Sequence, residues 1–421
     1  MKHMSTQEFR RMKSIENARN LFFRGIKRKV KEVDSIRVQD AVGRVLAERV
    51  FSGRYLPPSN LAVVDGYAVR SGDLRTTSSR NPVVLQLVGE SLLGEVCHLK
   101  IMKGQTVAVA TGSTVPDGGD AVIMVEHVKK LRGSRIEFRS AVSRWEGITK
   151  RGEDTAPGRL VLEGGSRLRP EDIGAFRALS LNTVRVVRRV RVGILSTGNE
   201  LVNSPKKGDP AKVVDLNRPI LSAMVRELGA VPVDLGIAKD DRRAIKSALK
   251  IGLRKADVVL VTAGSSVGKK DLVPDCINGL GKPGMLVHGV AMRPAMPTGL
   301  AVVRGKPVVS LPGFPVSAMI AFRTFVRPLL AKLVGVPEPL EPTVRAILTE
   351  RVIGVPGHRT FVRVRVNRVK NGYEARPLRA QRSSQLTSMV YANGIVNVSG
   401  SSPIVKAGTE VSVTVTGDLS A

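Results

Sequence analysis

Two cysteines in 421 residues, Cys97 and Cys276, exclude a disulfide framework and a paired-thiolate metal site. That scarcity fits a reducing cytoplasm. Aromatic residues reach only 4%, with one tryptophan, so the stacking platforms of single-strand nucleic-acid binders are not supplied. No apolar run approaches about 18 residues, which excludes a membrane-spanning helix. Met1-Lys2-His3-Met4-Ser5 leads into charged residues without the apolar stretch of a signal peptide. Acids are scarce as well: 36 stand against 67 Lys and Arg, for a formal charge of +31. The basic residues recur in segments 24–31, 129–139, 185–191, 242–255 and 359–370. Charge spread in this way reads as a solvated surface, and a basic nucleic-acid binder is kept as an alternative.

What is present is ample core material, 42% hydrophobic residues, over a length that suggests roughly three domains. The stretch from Asp257 to Asp271 organises the rest. Val258 to Val261 is a short β-branched run of the kind buried on both faces. It ends in Thr262-Ala263-Gly264-Ser265-Ser266, a small-residue turn whose amides can hold an anion, and Asp271 follows. Open α/β sheets bind ligands at such strand ends, so a phosphate-bearing ligand is the first expectation. This is no Walker A loop, because Gly264 to Gly268 is one residue short and Lys270 stands where Ser or Thr is required. No Gly-x-Gly-x-x-Gly follows any strand, which argues against a dinucleotide cofactor.

In chain order, Ser5 and Glu8 have capping-box spacing and predict a helix to about Phe23. A second short helix is expected over 40–47, and a hairpin turn at Asp65-Gly66. Segments 83–88, 106–110 and 121–125 predict a small β-domain, with the hydroxyl-rich loop Thr111 to Pro116 between strands. A helix starts near Pro170. From Val190 onward strands and helices alternate, which predicts a doubly wound parallel sheet; Asn217 is the expected N-cap of one helix. Pro312-Gly313-Phe314-Pro315 opens a long helix, a Pro-rich linker follows at 337–342, and four β-branched runs predict a C-terminal β-domain.

Several of these loops together resemble the molybdopterin molybdenumtransferases of molybdenum cofactor biosynthesis, related to the gephyrin E domain. The matching stretches are Asp65 to Arg70, Thr111 to Ser113, Gly119 to Val122, Arg151-Gly152-Glu153-Asp154 and Ser196 to Leu201. Asp215 to Arg218, Gly264 to Gly268 with Asp271, Leu311 to Ala318, Arg359 to Arg363 and Ser383 to Gly394 continue the match in register. The resemblance implies a multidomain α/β chain. An elongated helical and extended domain (1–50 and 141–187) is interrupted by a small β-domain (51–140). A doubly wound α/β pterin-binding domain (188–336) and a C-terminal β-barrel (343–421) follow.

It also implies a cytoplasmic homodimer that inserts molybdate or tungstate into adenylated molybdopterin and releases AMP, with Mg²⁺ as cofactor. A molybdopterin adenylyltransferase is the implied partner. Carried over residue by residue, the catalytic candidates are Asp271, Asp215, Glu153 and Asp65. Those for pterin and phosphate are Thr111, Thr197, Gly198, Gly264, Ser265, Ser266, Pro312, Gly313 and Ser317. The metal candidates are Asp215, Asp271, Glu153 and Asp154, and the oxyanion candidates Arg293, Arg359, Arg363 and Ser383. Three loops depart from the family pattern. Asn60 replaces an aspartate, Ala263 a glycine, and Met296 the second lysine of Lys-Pro-Gly-Lys-Pro. Those departures keep a second alternative open, a pterin-binding or scaffolding relative with weakened catalysis.

Overall fold

The computed structural model describes residues 12–204, 211–263 and 272–419. Its contacts divide the chain into two units. The first holds residues up to Asp34, Gly43–Val45 and everything from Val187; the second holds Ser35–Val42 and Leu46–Val186.

The first unit begins with α1, Ile15–Gly25. Its N-cap is Ser14, whose Oγ accepts the Asn17 N–H at 3.2 Å. The expected capping box at Ser5 and Glu8 lies outside the described residues. The α/β layer follows as β1 (Arg191–Thr197), α2 (Asn217–Glu227), β2 (Val231–Ala238), α3 (Arg242–Lys255), β3 (Val258–Ala263) and α4 (Val273–Asn278). It continues as β4 (Pro283–His288), β5 (Gly299–Val303), β6 (Lys306–Pro312), α5 (Pro315–Ala321) and α6 (Arg327–Val334). The sheet order is β2-β1-β3-β6-β5-β4. The first four strands are parallel, whereas β5 and β4 are antiparallel. The doubly wound sheet expected from the alternation is present, and the tight Arg304-Gly305 turn gives it an antiparallel edge by reversing the chain directly.

The sheet is doubly wound because its residues alternate between two cores. Val192, Ile194, Val258 and Leu260 face α1, α2, α5 and α6, while Leu195, Val259 and Val261 face α3 and α4. The helix expected after Phe314 is interrupted by a π-helical turn, Phe322–Val326, ahead of Pro328, which has no N–H to give an α-helical ladder. The C-terminal segment closes into a five-stranded barrel of β7 (Thr343–Leu348), β8 (Arg359–Val369), β9 (Gly372–Pro377), β10 (Gly394–Val398) and β11 (Glu410–Val415). The order β8-β9-β7-β11-β10 closes through pairing of β10 with β8.

One buried ion pair fastens the N-terminal edge of the α/β sheet. Arg188 reaches both oxygens of Asp257 at 3.0 and 3.1 Å, and Asp257 also accepts the Arg191 N–H at 2.8 Å. Burial alone would raise the Asp257 pKa, but the Arg188 hydrogen bonds and the Arg191 N–H outweigh it and hold the carboxyl below its usual range. A depressed folded-state pKa stabilises above the unfolded value of about 4 and is lost as pH falls through the folded value. Asp257→Asn should therefore cost about 2–4 kcal/mol at pH 7, with the gap from wild type closing as pH falls below about 4. Denaturant melts at pH 7 and pH 3.5 test it; a gap that stays constant would exclude the ionised pair as its cause.

In the second unit a six-stranded sheet runs in the order 121–124, 66–69, 105–109, 83–91, 135–138 and 128–131. Tyr67 meets Phe138 edge to face at 6.2 Å in its core. The hairpin expected at Asp65-Gly66 does not form, since Gly66–Val69 pairs with distant strands on both sides. Gly66 is needed for close approach instead: a Cβ there would lie 1.9 Å from the Ile123 carbonyl oxygen. The helix expected over 40–47 is only a three-residue 3₁₀ turn, Val38–Asp40. The helix at Pro170 forms as expected, Pro170–Ala178. Among the described residues no helix is long and apolar enough to cross a membrane.

Candidate functional site

At the C-terminal ends of β1, β3 and β6 lies a cavity of about 420 Å³. Thr197 and Thr262 reach it from the strand ends, Gly313 and Phe314 from the loop after β6, and Glu200, Asp215 and Asn217 from the segments after β1. The Thr197 hydroxyl donates to the Thr262 carbonyl at 3.1 Å, and Thr262 Oγ1 donates to Ser196 Oγ at 3.0 Å. Both strand ends are thereby fixed. The turn expected to cradle phosphate, Gly264, Ser265 and Ser266, and the carboxylate Asp271 lie outside the described residues.

Asp215 is almost wholly enclosed, and both of its oxygens are engaged. Oδ1 accepts the N–H groups of Asn217 and Arg218 at 3.1 and 3.3 Å, and Oδ2 accepts Arg218 Nε at 2.6 Å. The residue that satisfies the start of α2 is thus Asp215, where the sequence pointed to Asn217. Asn217 does something else. Its amide donates to the Gly313 carbonyl at 2.8 Å, and its Oδ1 is buried with no hydrogen-bond partner among the described residues. An orphan acceptor in a cavity wall suits a ligand N–H. The sequence placed Asn217 inside a matching motif, but nothing in the pattern distinguished a cap from a ligand contact.

A second cavity, about 780 Å³, adjoins the first, with Phe314 and Ser384 lining both. One wall is Arg293-Pro294-Ala295-Met296-Pro297 from the α/β layer; the other is the barrel, with Arg351, Arg379, Arg382 and Ser383. Among the described residues Glu350 is its one acid, and that carboxylate pairs with Arg376 at 3.4 Å. Ser317 and Pro312 also border it. The structure therefore brings together Arg293, Ser383, Ser317 and Pro312, and adds three arginines that pattern reading missed.

Two oxyanion candidates stand apart from that lining. Arg359 is drawn away to Glu16, at 2.7 Å. Arg363 is fully buried behind the Ala380–Gln381 wall. Its Nη2 donates to the Ala380 carbonyl at 3.3 Å, while Nε and Nη1 have no partner among the described residues. Burial without a counter-charge pushes its pKa down to about 10.

Of the remaining candidates Gly198 directly follows β1 in the first unit, and Asp65, Thr111, Glu153 and Asp154 lie in the second. Asp65 Oδ1 accepts both the backbone N–H and the hydroxyl of Thr111, at 2.7 and 2.9 Å. Those bonds, the Thr111 N–H first, keep the Asp65 carboxyl below its usual range. Asn60 Oδ1 accepts the Arg151 N–H at 2.9 Å, and Glu153 accepts the Lys150 N–H at 2.7 Å, so an amide suffices to hold the Arg151–Asp154 turn. Among the described residues no three His, Cys, Asp or Glu side chains gather as a metal site.

Three family models match the chain in order: the MoeA N-terminal region (domain I and II) over residues 13–180, the probable molybdopterin binding domain over 193–332, and the MoeA C-terminal region (domain IV) over 345–416. A molybdopterin molybdenumtransferase of Bacillus subtilis is 30% identical over 385 residues, 91% of this chain and 89% of that protein. Molybdopterin molybdenumtransferase 2 of Mycobacterium tuberculosis is 31% identical over 388 residues, 90% of this chain and 94% of its own. The crystal structure of a molybdopterin biosynthesis MoeA protein from Pyrococcus horikoshii superposes with a TM-score of 0.82 at 30% identity, covering 96% of this chain and all of that one.

Proposed function

This chain belongs to the molybdopterin molybdenumtransferase family and acts in molybdenum cofactor biosynthesis, and we propose that it inserts molybdate or tungstate into adenylated molybdopterin with release of AMP. The observation that carries this reading is the pair of adjoining cavities. A cavity at the strand ends, lined by Thr197, Glu200, Asp215 and Asn217, meets an arginine-lined one at Phe314 and Ser384. The pterin takes the first, where Thr197 and Asn217 offer a hydroxyl and an unpaired carbonyl. The oxyanion takes the second, where Arg293, Arg379, Arg382 and Ser383 can surround four oxygens. The dithiolene then lies at the junction. Apposition of the two reactants is the main service the protein supplies.

The described residues of this unit do not by themselves fit Mg²⁺, since Asp215 is already committed to Arg218 and two backbone amides. No step is therefore routed through a cation. Asp271, from its sequence position, remains the candidate for positioning water at the phosphoanhydride. The four-domain division, the homodimer, a cytoplasmic setting and supply of substrate by an adenylyltransferase partner complete the proposal. A single-turnover assay with adenylated molybdopterin tests it: AMP should appear, faster with molybdate. Tight binding without AMP release would support the weakened paralogue instead.

Met296 lines the oxyanion cavity where the family pattern has lysine, and Ala295 before it sits at φ +84°, a conformation natural to the family's glycine. The Met296 carbonyl accepts the Val290 N–H at 2.9 Å, which fixes the backbone beneath the side chain. Met296→Lys is expected to tighten molybdate binding about fivefold, roughly 1 kcal/mol, the size of one charge-assisted contact at a partly exposed site. Added salt should shrink the gain. Calorimetric titration with molybdate checks this; unchanged affinity with a lower melting temperature would show that the lysine is forced into the core.

A further inference from the structure

At the opposite end of the α/β sheet lies a third cavity, of about 550 Å³. Strand β6 separates it from the strand-end site by seven residues, about 20 Å of extended chain. Lys250 and Arg254, one turn apart on α3, form one wall. Arg304 and Lys306 form another, and Ile251 and Leu280 are among the apolar residues of the lining. Among the described residues no Asp or Glu lines it.

The state of the four cations is what singles this cavity out. Among the described residues Lys250, Arg254 and Arg304 have no acidic partner. Lys306 points to α3, where its Nζ donates to the Leu253 and Ala256 carbonyls at 2.5 and 2.9 Å. It thereby neutralises the negative end of that helix, which would otherwise repel an anion. The nearest carboxylate that acts on Lys306, Asp257, is held by Arg188 and the Arg191 N–H. Burial, with Arg28 adding repulsion, holds the Lys306 ammonium below the usual lysine range.

Arg304 carries a second sign. It occupies the first position of a two-residue turn at φ +49°, before Gly305 at φ +79°. Asn or Gly takes that conformation at least expense, whereas a long side chain is strained there. The arginine stem lies on Gly281, where a Cβ would come within 2.8 Å of its Cγ. The strained turn and the bare glycine together place this arginine in the cavity lining.

We propose that this cavity binds a small phosphorylated anion, its phosphate groups on Lys250, Arg254 and Arg304 and any apolar body against Ile251 and Leu280. The site is separate from the chemistry and does not rest on the proposed reaction. Inorganic pyrophosphate in magnesium-free buffer is the probe. Calorimetry on the full chain should give one class of sites that Lys250→Ala/Arg304→Gly weakens at least tenfold. Arg293→Ala, in the oxyanion cavity, should leave that class intact. Arg304→Gly alone should melt no lower than wild type, because glycine relieves the turn, so lost binding is not unfolding. Pyrophosphate should raise the wild-type melting temperature and not that of the double variant. Equal binding by the double variant, or loss of all pyrophosphate binding in Arg293→Ala, would overturn the proposal.

Discussion

Arg363→Met should melt higher than the wild type while losing molybdate-dependent turnover. The guanidinium is fully buried, with Nε and Nη1 unpartnered among the described residues. Burial lowers its pKa from the usual arginine range to about 10, a native-state cost on the order of 3 kcal/mol. Below pH 10 that cost is fully present, since the arginine is charged in both states. As pH rises from about 10 towards 12.5 the unfolded chain holds more protons than the native one, so native stability rises. Methionine fills the stem's volume, removes the charge and forgoes only the Ala380 contact.

Gln381, which hydrogen-bonds the Arg363 backbone, lines the arginine-walled cavity, so the unpaired charge is expected to act on an anion there through that wall. Removing it should reduce AMP release with molybdate on the order of 10²-fold, the scale of one preorganised electrostatic donor in a dry site. Arg363→Lys should restore part of the molybdate affinity. Thermal melts and molybdate calorimetry run together decide the point. A lower melting temperature with undiminished affinity would make Arg363 a structural residue.

Asp215→Ala should destabilise the α/β layer by about 3–5 kcal/mol. It removes two hydrogen bonds at the start of α2 and strips Arg218 of its buried carboxylate partner. Arg218 is itself largely enclosed and keeps Asp234 at 2.7 Å and Asn203. Asp215→Asn separates cap from charge. An amide oxygen still accepts the two backbone N–H groups but gives Arg218 no counter-charge, so a loss of about 1–3 kcal/mol is expected. Denaturant melts of both variants measure it. Should Asp215→Asn melt like wild type yet lose turnover that rising Mg²⁺ restores, the carboxylate would be a metal ligand after all.

The sequence by itself determined the layers. Short β-branched runs marked the strands of the α/β unit and three-to-four-residue periodicity its helices, because a strand covered on both faces is apolar throughout. The β-branched runs after Pro342 fixed four of the five barrel strands; Gly372–Pro377 was hidden because its mixed, charged composition carries no such period. Motifs in register also picked out Thr197 and Gly313, which line the strand-end cavity, since loops at the C-terminal edge of a parallel sheet converge whatever their spacing.

Tertiary structure alone decided which charges meet. Arg359 and Arg363 lie four residues apart on one strand, yet one is taken by Glu16 and the other is sealed without a counter-ion. Asp215 and not Asn217 satisfies the start of α2, because the cap position depends on where the chain turns into the helix. Arg351, Arg379 and Arg382 became one cavity wall only when the barrel closed beside the α/β layer. Electrostatic roles follow from distance and burial, and a one-dimensional pattern records neither.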